Sequence, residues 1–140
     1  MKILYDAINA NDLRGSTITD HLVNIEASIE VVDGRGVIYE EPYFPVAELA
    51  RELARWVSLG EKQAPNFLFA SLSFEEPGAV QILDSGSGWT VGSMFTPELK
   101  SSPVSWGEVA ACIDAFVSNV RRDVLELGIS PDFIDSQRAE

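Results

Sequence analysis

The alternation of hydrophobic and polar residues in the first part of the chain predicts a strand followed by a β-hairpin. Residues 3–8 are expected to form a short first strand, and residues 9–16, which are rich in Asn, Asp and Gly, a loop. From Leu22 to Val32 apolar and polar residues alternate, which is typical of an antiparallel strand with one buried face. A turn at residues 33–36 contains two glycines, and residues 37–40 return as the partner strand.

Two helices are predicted where apolar residues recur at intervals of three and four. Pro42 and Pro45 are expected to end the preceding strand, and Pro45 also suits the first turn of a helix. An apolar stripe runs through residues 46–57, with charged residues on the opposite side. A second stripe covers residues 106–127, and Gly128 is expected to terminate that helix.

Three further strands are predicted between these two helices. They cover residues 67–74, 79–84 and 89–95, and a Ser/Gly-rich turn at 85–88 joins the last two. The element order is then β-ββ-α-β-ββ-α. This order predicts an α+β fold, with an antiparallel sheet of about five to six strands and two main helices. The order of the strands within the sheet is not determined by the pattern.

Length and composition are those of one globular domain. The chain has 140 residues, of which 46% are hydrophobic and 23% charged. Residues 1–134 are predicted to form a single domain, and the polar residues 135–140 a frayed tail. No secretion signal is visible at the N-terminus, and no apolar run approaches the roughly 18 residues of a membrane span. A cytoplasmic protein without a membrane partner is therefore expected.

The net charge narrows the choice of partner. Ten Lys and Arg residues stand against 22 Asp and Glu, which gives a formal charge of −12. Nucleic-acid binding needs a surplus of positive charge, so a basic protein is the expected partner instead. If helices cover one face of the sheet, its open face would be strongly negative. The candidate partner-binding residues lie on or beside the predicted strands: Glu26, Glu30, Glu40, Glu41, Glu75, Glu76 and Asp84.

A short motif occurs twice. Tyr39-Glu40-Glu41-Pro42 is repeated as Phe74-Glu75-Glu76-Pro77, and each copy follows a predicted strand. Proline can end a strand while the charges protect its edge from aggregation. The two copies can also form a shared acidic rim that binds a basic surface. A third interpretation, paired carboxylates acting as glycosidase acid and base, has no identifiable substrate cleft to support it.

Nothing in the sequence predicts catalytic residues or a cofactor. The single cysteine, Cys112, lies on the apolar stripe of the last helix, where it is expected to pack as an inert thiol. The single histidine, His21, is expected in a loop or capping role, and no zinc-site spacing is present. The turn Gly86-Ser87-Gly88 precedes a strand and not a helix, which argues against a phosphate loop.

Three segments carry a resemblance to known proteins. The stretches at 41–50, 71–78 and 88–93 look like an uncharacterised family of small bacterial proteins. The chain as a whole resembles the immunity proteins of polymorphic toxin and contact-dependent inhibition systems. This resemblance implies one cognate toxin whose active site or essential surface is blocked. The toxin would be a basic domain such as a nuclease, with carboxylates of the immunity protein in the place of substrate phosphates.

Two other functions stay open at this point. The first is a self-associating structural or regulatory module, in which Trp89, Phe95 and Trp106 form a dimer patch. The free protein is accordingly expected to be a monomer or a homodimer. The second is an enzyme that uses carboxylates, with a divalent cation such as magnesium or calcium.

Overall fold

A computed structural model describes residues 1–135 of the chain. Residues 136–140 are not described, so the predicted tail lies outside the described residues except for Asp135. The elements are β1 (Lys2–Asn9), α1 (Ile18–Asn24), β2 (Glu26–Asp33), β3 (Gly36–Phe44), α2 (Val46–Val57), β4 (Phe67–Leu68), β5 (Gln81–Asp84), β6 (Trp89–Gly92), α3 (Trp106–Glu126) and α4 (Asp132–Asp135).

The predicted α+β class is confirmed. Within residues 1–135, six strands form two antiparallel three-stranded sheets, with orders β1-β2-β3 and β4-β5-β6. The two main helices are α2, with the predicted bounds, and α3, which ends one residue before the predicted end. The strands are thus divided between two sheets, a division that local periodicity does not determine.

The central strand β2 shows the predicted alternation. Ala27, Ile29 and Val31 are buried, whereas Ser28 and Glu30 are exposed. Helices α2 and α3 pack against the buried face of this first sheet. The contact is both apolar and polar, because the Tyr5 ring meets Phe116 edge-on and its hydroxyl donates to Asp123 Oδ2 over 2.5 Å.

The predicted start of this strand at Leu22 is wrong, because residues 18–24 form helix α1. A capping box begins the helix. The backbone N–H of Asp20 donates to Thr17 Oγ1, and that of Thr17 donates to Asp20 Oδ2, both over 3.1 Å. These two bonds satisfy donors that a helix start otherwise leaves unpaired. The strand therefore begins only at Glu26.

Pro42 was expected to end the third strand, but β3 continues to Phe44. β3 lies at the edge of the sheet, where the missing N–H of a proline need not break a hydrogen bond. The register also shifts here. Ile29 pairs with Glu41 but Ala27 pairs with Phe44, so β3 has one extra residue, which forms a β-bulge.

Strand β4 is much shorter than the predicted strand over 67–74, and residues 69–80 form a loop instead. The buried carboxylate of Glu48 holds this loop. Glu48 Oε1 accepts from Ser71 Oγ over 2.5 Å, and Oε2 accepts from the N–H of Leu72 over 3.0 Å. The N–H of Gly78 also donates to the carbonyl of Phe69, which closes the loop. These contacts turn the backbone away from a continued strand.

The second hairpin is confirmed, with shorter strands than predicted. β5 begins at Gln81 and β6 ends at Gly92. Beside this hairpin the rings of Trp56, Trp89 and Trp106 meet with centroids 5.1 to 5.5 Å apart. This cluster connects α2, β6 and the start of α3. No helix in residues 1–135 is both long and apolar enough to cross a membrane.

Candidate protein-binding surface

The face of the first sheet that points away from the helices is exposed and mostly acidic. Glu30 in the central strand lies opposite Leu4 on one side and Glu40 on the other, and all three are exposed. Asp6 lies opposite Ser28, and both are exposed. We call this surface the outer face. Lys2 lies at one of its ends and Glu26 at the opposite end.

The pairing of Glu30 with Glu40 opposes stability. Residues directly opposite in an antiparallel pair have Cβ atoms about 4.5–5.5 Å apart, and like charges at that distance repel each other. The same position could hold an oppositely charged pair, worth roughly 0.2–1 kcal/mol. The outer face therefore concentrates negative charge where the sheet would be more stable without it.

Glu26 extends the acidic surface to the end of β2. It pairs with Asn9 and is partly buried. Burial raises the pKa of the Glu26 carboxyl, and the nearby negative charge of Asp12 raises it further. Glu26 thus belongs to the outer face, next to a second acidic side chain from the loop after β1.

Two β-bulges lie on either side of the central strand at the same level. Ala7 in β1 and Tyr43 in β3 have φ angles of 57° and 58°, a left-handed conformation uncommon for residues with a side chain. The Tyr43 side chain is 78% exposed. Between the bulges is a shallow pocket of about 230 Å³, lined by Ala7, Asn9, Ala27, Ser28, Pro42 and Tyr43. Sequence analysis did not find Tyr43, although a proline inside a strand pattern is a signal for a bulge.

The two Glu-Glu-Pro motifs converge on one aromatic cluster. Tyr39, which begins the first motif, has its ring 6.3 Å from that of Phe44 and 6.0 Å from that of Phe95. Phe74, which begins the second motif, lies 5.8 Å from Phe44 and 5.9 Å from Phe95. The fold therefore joins two motifs that are 35 residues apart in the sequence.

The four carboxylates of the two motifs do not share one face of the protein. Glu41 has the same parity as Tyr39 on β3, so it lies on the inner side of the strand and is partly buried. Glu75 and Glu76 are exposed on the loop directly after Phe74. Glu40, by contrast, points to the outer face.

Asp84 belongs to neither group. It ends β5, and its Oδ1 accepts a hydrogen bond from the N–H of Gly86 over 2.9 Å. The N–H of Asp84 donates to Asn66 Oδ1 over 2.8 Å. These bonds shape the hairpin turn of the second sheet. The seven acidic residues predicted as partner-binding therefore do not form one continuous surface.

The aromatic patch considered for self-association is mostly internal. Trp89 is buried in the tryptophan cluster and Trp106 is partly buried, whereas Phe95 is 51% exposed. Phe95 also lies in a different cluster, with Tyr39 and Phe74. The three residues do not form a common patch on the surface.

The residues considered for nucleophilic or metal chemistry contact different parts of the fold. Burial raises the pKa of the Cys112 thiol, which lies near the backbone of Ile3 in β1. His21 lies within helix α1 and not in the expected loop or cap, and its ring packs on that of Phe133, with centroids 5.0 Å apart. Across residues 1–135, no three His, Cys, Asp or Glu side chains are grouped so that they could hold a metal ion.

The chain matches the model of a protein family, the domain of unknown function DUF7878, over residues 1–126. It belongs to the DUF7878 family. The match covers both sheets, α2 and the whole of α3, so the outer face and the aromatic cluster lie within the DUF7878 domain. No curated protein and no solved structure matches the chain.

Proposed function

We propose that this DUF7878 protein is a non-catalytic binding protein that captures a basic partner protein through its outer face. The supporting observation is the two-sided character of the first sheet. One face is covered by helices, and the other is exposed with Asp6, Glu30 and Glu40 on three adjacent strands. A protein that binds through this face uses a rigid surface, because the strands are held by the core behind them.

The spacing of the carboxylates makes their electric fields add. Adjacent strands lie about 4.7–4.9 Å apart, well within the Debye length of about 8 Å at physiological ionic strength. Such a concentrated field attracts basic surfaces and increases association rates by about 10- to 1,000-fold. Opposite charge on the partner would also relieve the repulsion between Glu30 and Glu40.

The resemblance to immunity proteins supplies the proposed class of partner. The partner is a cognate toxin domain, such as a nuclease, whose active site or substrate surface is basic because it binds phosphates. The outer face would cover that surface, with its carboxylates in the place of substrate phosphates. We propose the cytoplasm as the location, because a nuclease toxin would meet its substrate there. Whether the free protein is a monomer or a homodimer stays a prediction.

Co-expression with the product of the gene immediately upstream tests this proposal. We expect that product to arrest growth, and this protein to bind it and restore growth. The double variant Glu30→Lys/Glu40→Lys should associate with it about tenfold more slowly and show less dependence on salt. The matched control is Glu108→Lys/Asp114→Lys, which makes the same change in net charge at exposed positions of α3.

The control distinguishes the effect of removing carboxylates from the outer face from the effect of changing the net charge of the protein. If both double variants slow association equally, the outer face is not the binding site and the proposal fails. A non-toxic upstream product that does not bind would contradict the assignment of a toxin partner.

A further inference from the structure

The aromatic cluster on the inner side of β3 presents a fixed and accessible ring, that of Phe95. The exposed Phe95 ring is nearly parallel to that of Tyr39, at an interplanar angle of 23°, and packs obliquely on Phe74. Hydrogen bonds hold the backbone at Phe95 and at the following residue, Thr96. The N–H of Phe95 donates to Ser93 Oγ over 3.1 Å, and Thr96 Oγ1 donates to the carbonyl of Ile38 over 2.9 Å. The open side of the ring is therefore held in place for a ligand.

The Tyr39 ring, on which Phe95 stacks, is itself buried. Tyr39 is only 4% exposed, and its buried hydroxyl has no hydrogen-bond partner in the described part of the chain. Burial raises the pKa of Tyr39, and the negative charge of Glu41 raises it further. Glu41 therefore contributes negative charge on the same side of β3 as the stacked rings of Tyr39 and Phe95.

The second motif adds negative charge directly after Phe74. Glu75 and Glu76 are exposed and follow Phe74, whose ring contacts Phe95. We call the combined surface the junction patch. It consists of Tyr39, Phe74, Phe95, Glu41, Glu75 and Glu76.

We infer that the junction patch binds an arginine side chain of the basic partner protein, with the guanidinium group against the Phe95 ring. A guanidinium is planar and has five donors, so it can stack on an aromatic face and also bond to several acceptors. This inference rests on the proposed function and adds a second contact of defined chemistry to it. A second copy of this chain is not the proposed occupant, because it would bring the same carboxylates to the patch.

A peptide of alternating arginine and glycine serves as the probe, with a matched peptide in which neutral citrulline replaces arginine. Titration of the full-length protein is followed by NMR. We expect chemical-shift changes at Phe95, Phe74 and Glu75 with the arginine peptide, and none with the citrulline peptide. Glu75→Lys/Glu76→Lys should weaken binding of the arginine peptide and reduce its dependence on salt.

Substitution of Phe95 separates ring stacking from general charge attraction. Phe95→Leu keeps an apolar side chain but removes the ring, and should weaken binding by about two- to fivefold. Phe95→Trp should tighten binding, because tryptophan has the strongest cation–π interaction. Leu125→Ala is the control, because it truncates an apolar side chain that is 61% exposed on α3. The native NMR spectrum of each variant verifies its fold, and Phe95→Trp keeps the aromatic packing.

The outcomes distinguish this inference from the function on which it rests. Shift changes confined to Leu4, Asp6 and Ser28, with equal affinity in both Phe95 variants, would overturn the junction patch and leave the outer face as the binding site. Equal binding of the citrulline peptide would also overturn it. Failure of the proposed function is measured separately, by the Glu30 and Glu40 variants with the upstream gene product.

Discussion

At the scale of single residues, Glu48 shows how one side chain determines the conformation of a distant loop. It is only 3% exposed in the first turn of α2, and its two oxygens accept from Ser71 and Leu72. Burial raises the pKa of the Glu48 carboxyl above its ordinary value, although the hydrogen bonds from Ser71 and Leu72 act in the opposite direction. The loop that leads to the junction patch is therefore held by a carboxylate that is destabilised in its charged form.

We predict that Glu48→Gln reduces the loss of stability with rising pH. The folded-state pKa of Glu48 lies above its ordinary value of 4.5. Its contribution to stability is therefore complete below about pH 4.5 and is lost as the pH rises through the folded-state pKa. Urea unfolding followed by tryptophan fluorescence between about pH 4 and 7 measures this effect.

The control for this experiment is Glu108→Gln, which removes an exposed carboxylate from the first turn of α3. The change in the pH dependence of the unfolding free energy should be larger for Glu48→Gln than for Glu108→Gln. If the two variants change it equally, the charged form of Glu48 is not specifically destabilised in the folded state.

At the scale of elements, β3 combines a proline with a bulge and still completes the first sheet. Pro42 is compatible with an edge strand, and the extra residue opposite Ser28 is accommodated by Tyr43 in the left-handed conformation. This geometry leaves the Tyr43 side chain in solvent at one end of the outer face. The strand is therefore shaped by the bulge rather than ended by the proline.

The effect of substitutions at Tyr43 on stability should depend on the backbone preference of the new residue and not on side-chain burial. Tyr43→Gly should leave stability unchanged or raise it by up to about 1 kcal/mol, because glycine adopts positive φ without steric conflict. Tyr43→Val should destabilise by about 1–2 kcal/mol, because a β-branched residue is strongly disfavoured there. Chemical denaturation of the two variants gives both values.

Leu4 provides the matched comparison, because it is an exposed apolar residue in a regular part of β1. There the order should be reversed, with Leu4→Gly destabilising by about 0.5–1 kcal/mol and Leu4→Val tolerated. The same order at both positions would contradict the role assigned to the bulge.

At the scale of the whole molecule, the two sheets share one hydrophobic core. Phe44 at the end of β3 is fully buried and its ring contacts Tyr39 of its own strand. It also contacts Phe69 and Phe74 of the loop between β4 and β5. One ring thus connects the first sheet to the segment that carries the second Glu-Glu-Pro motif.

Phe44→Ala should destabilise the protein by about 3–5 kcal/mol, and the two sheets should unfold together. Far-UV circular dichroism reports both sheets, and tryptophan fluorescence reports the cluster beside the second sheet. We expect the two transitions to coincide. Phe44→Leu is a milder variant if the alanine variant does not fold, and Leu125→Ala should change stability by less than about 0.5 kcal/mol. Separate transitions would show that the sheets are independent units.

The local pattern of apolar and polar residues alone predicts the elements whose buried and exposed faces repeat regularly along the chain. The alternation from Ile25 to Val31 and the stripes of α2 and α3 appear in the structure because periods of two and 3.6 residues directly determine which side chains share a face. The same periodicity placed Glu30 on the exposed side of its strand. It could not place Glu41 or Asp84, because their surroundings depend on segments far away in the chain.

The sequence by itself therefore determined the class of fold, the main helices and the acidic side of the central strand. Tertiary structure alone decided that the six strands within residues 1–135 form two sheets and that the loop after β4 turns away at Glu48. It also decided that Tyr39 and Phe74 meet at Phe95. The physical reason is that periodicity reflects the geometry of neighbouring residues, whereas the pairing of distant segments depends on how the whole chain fills one core.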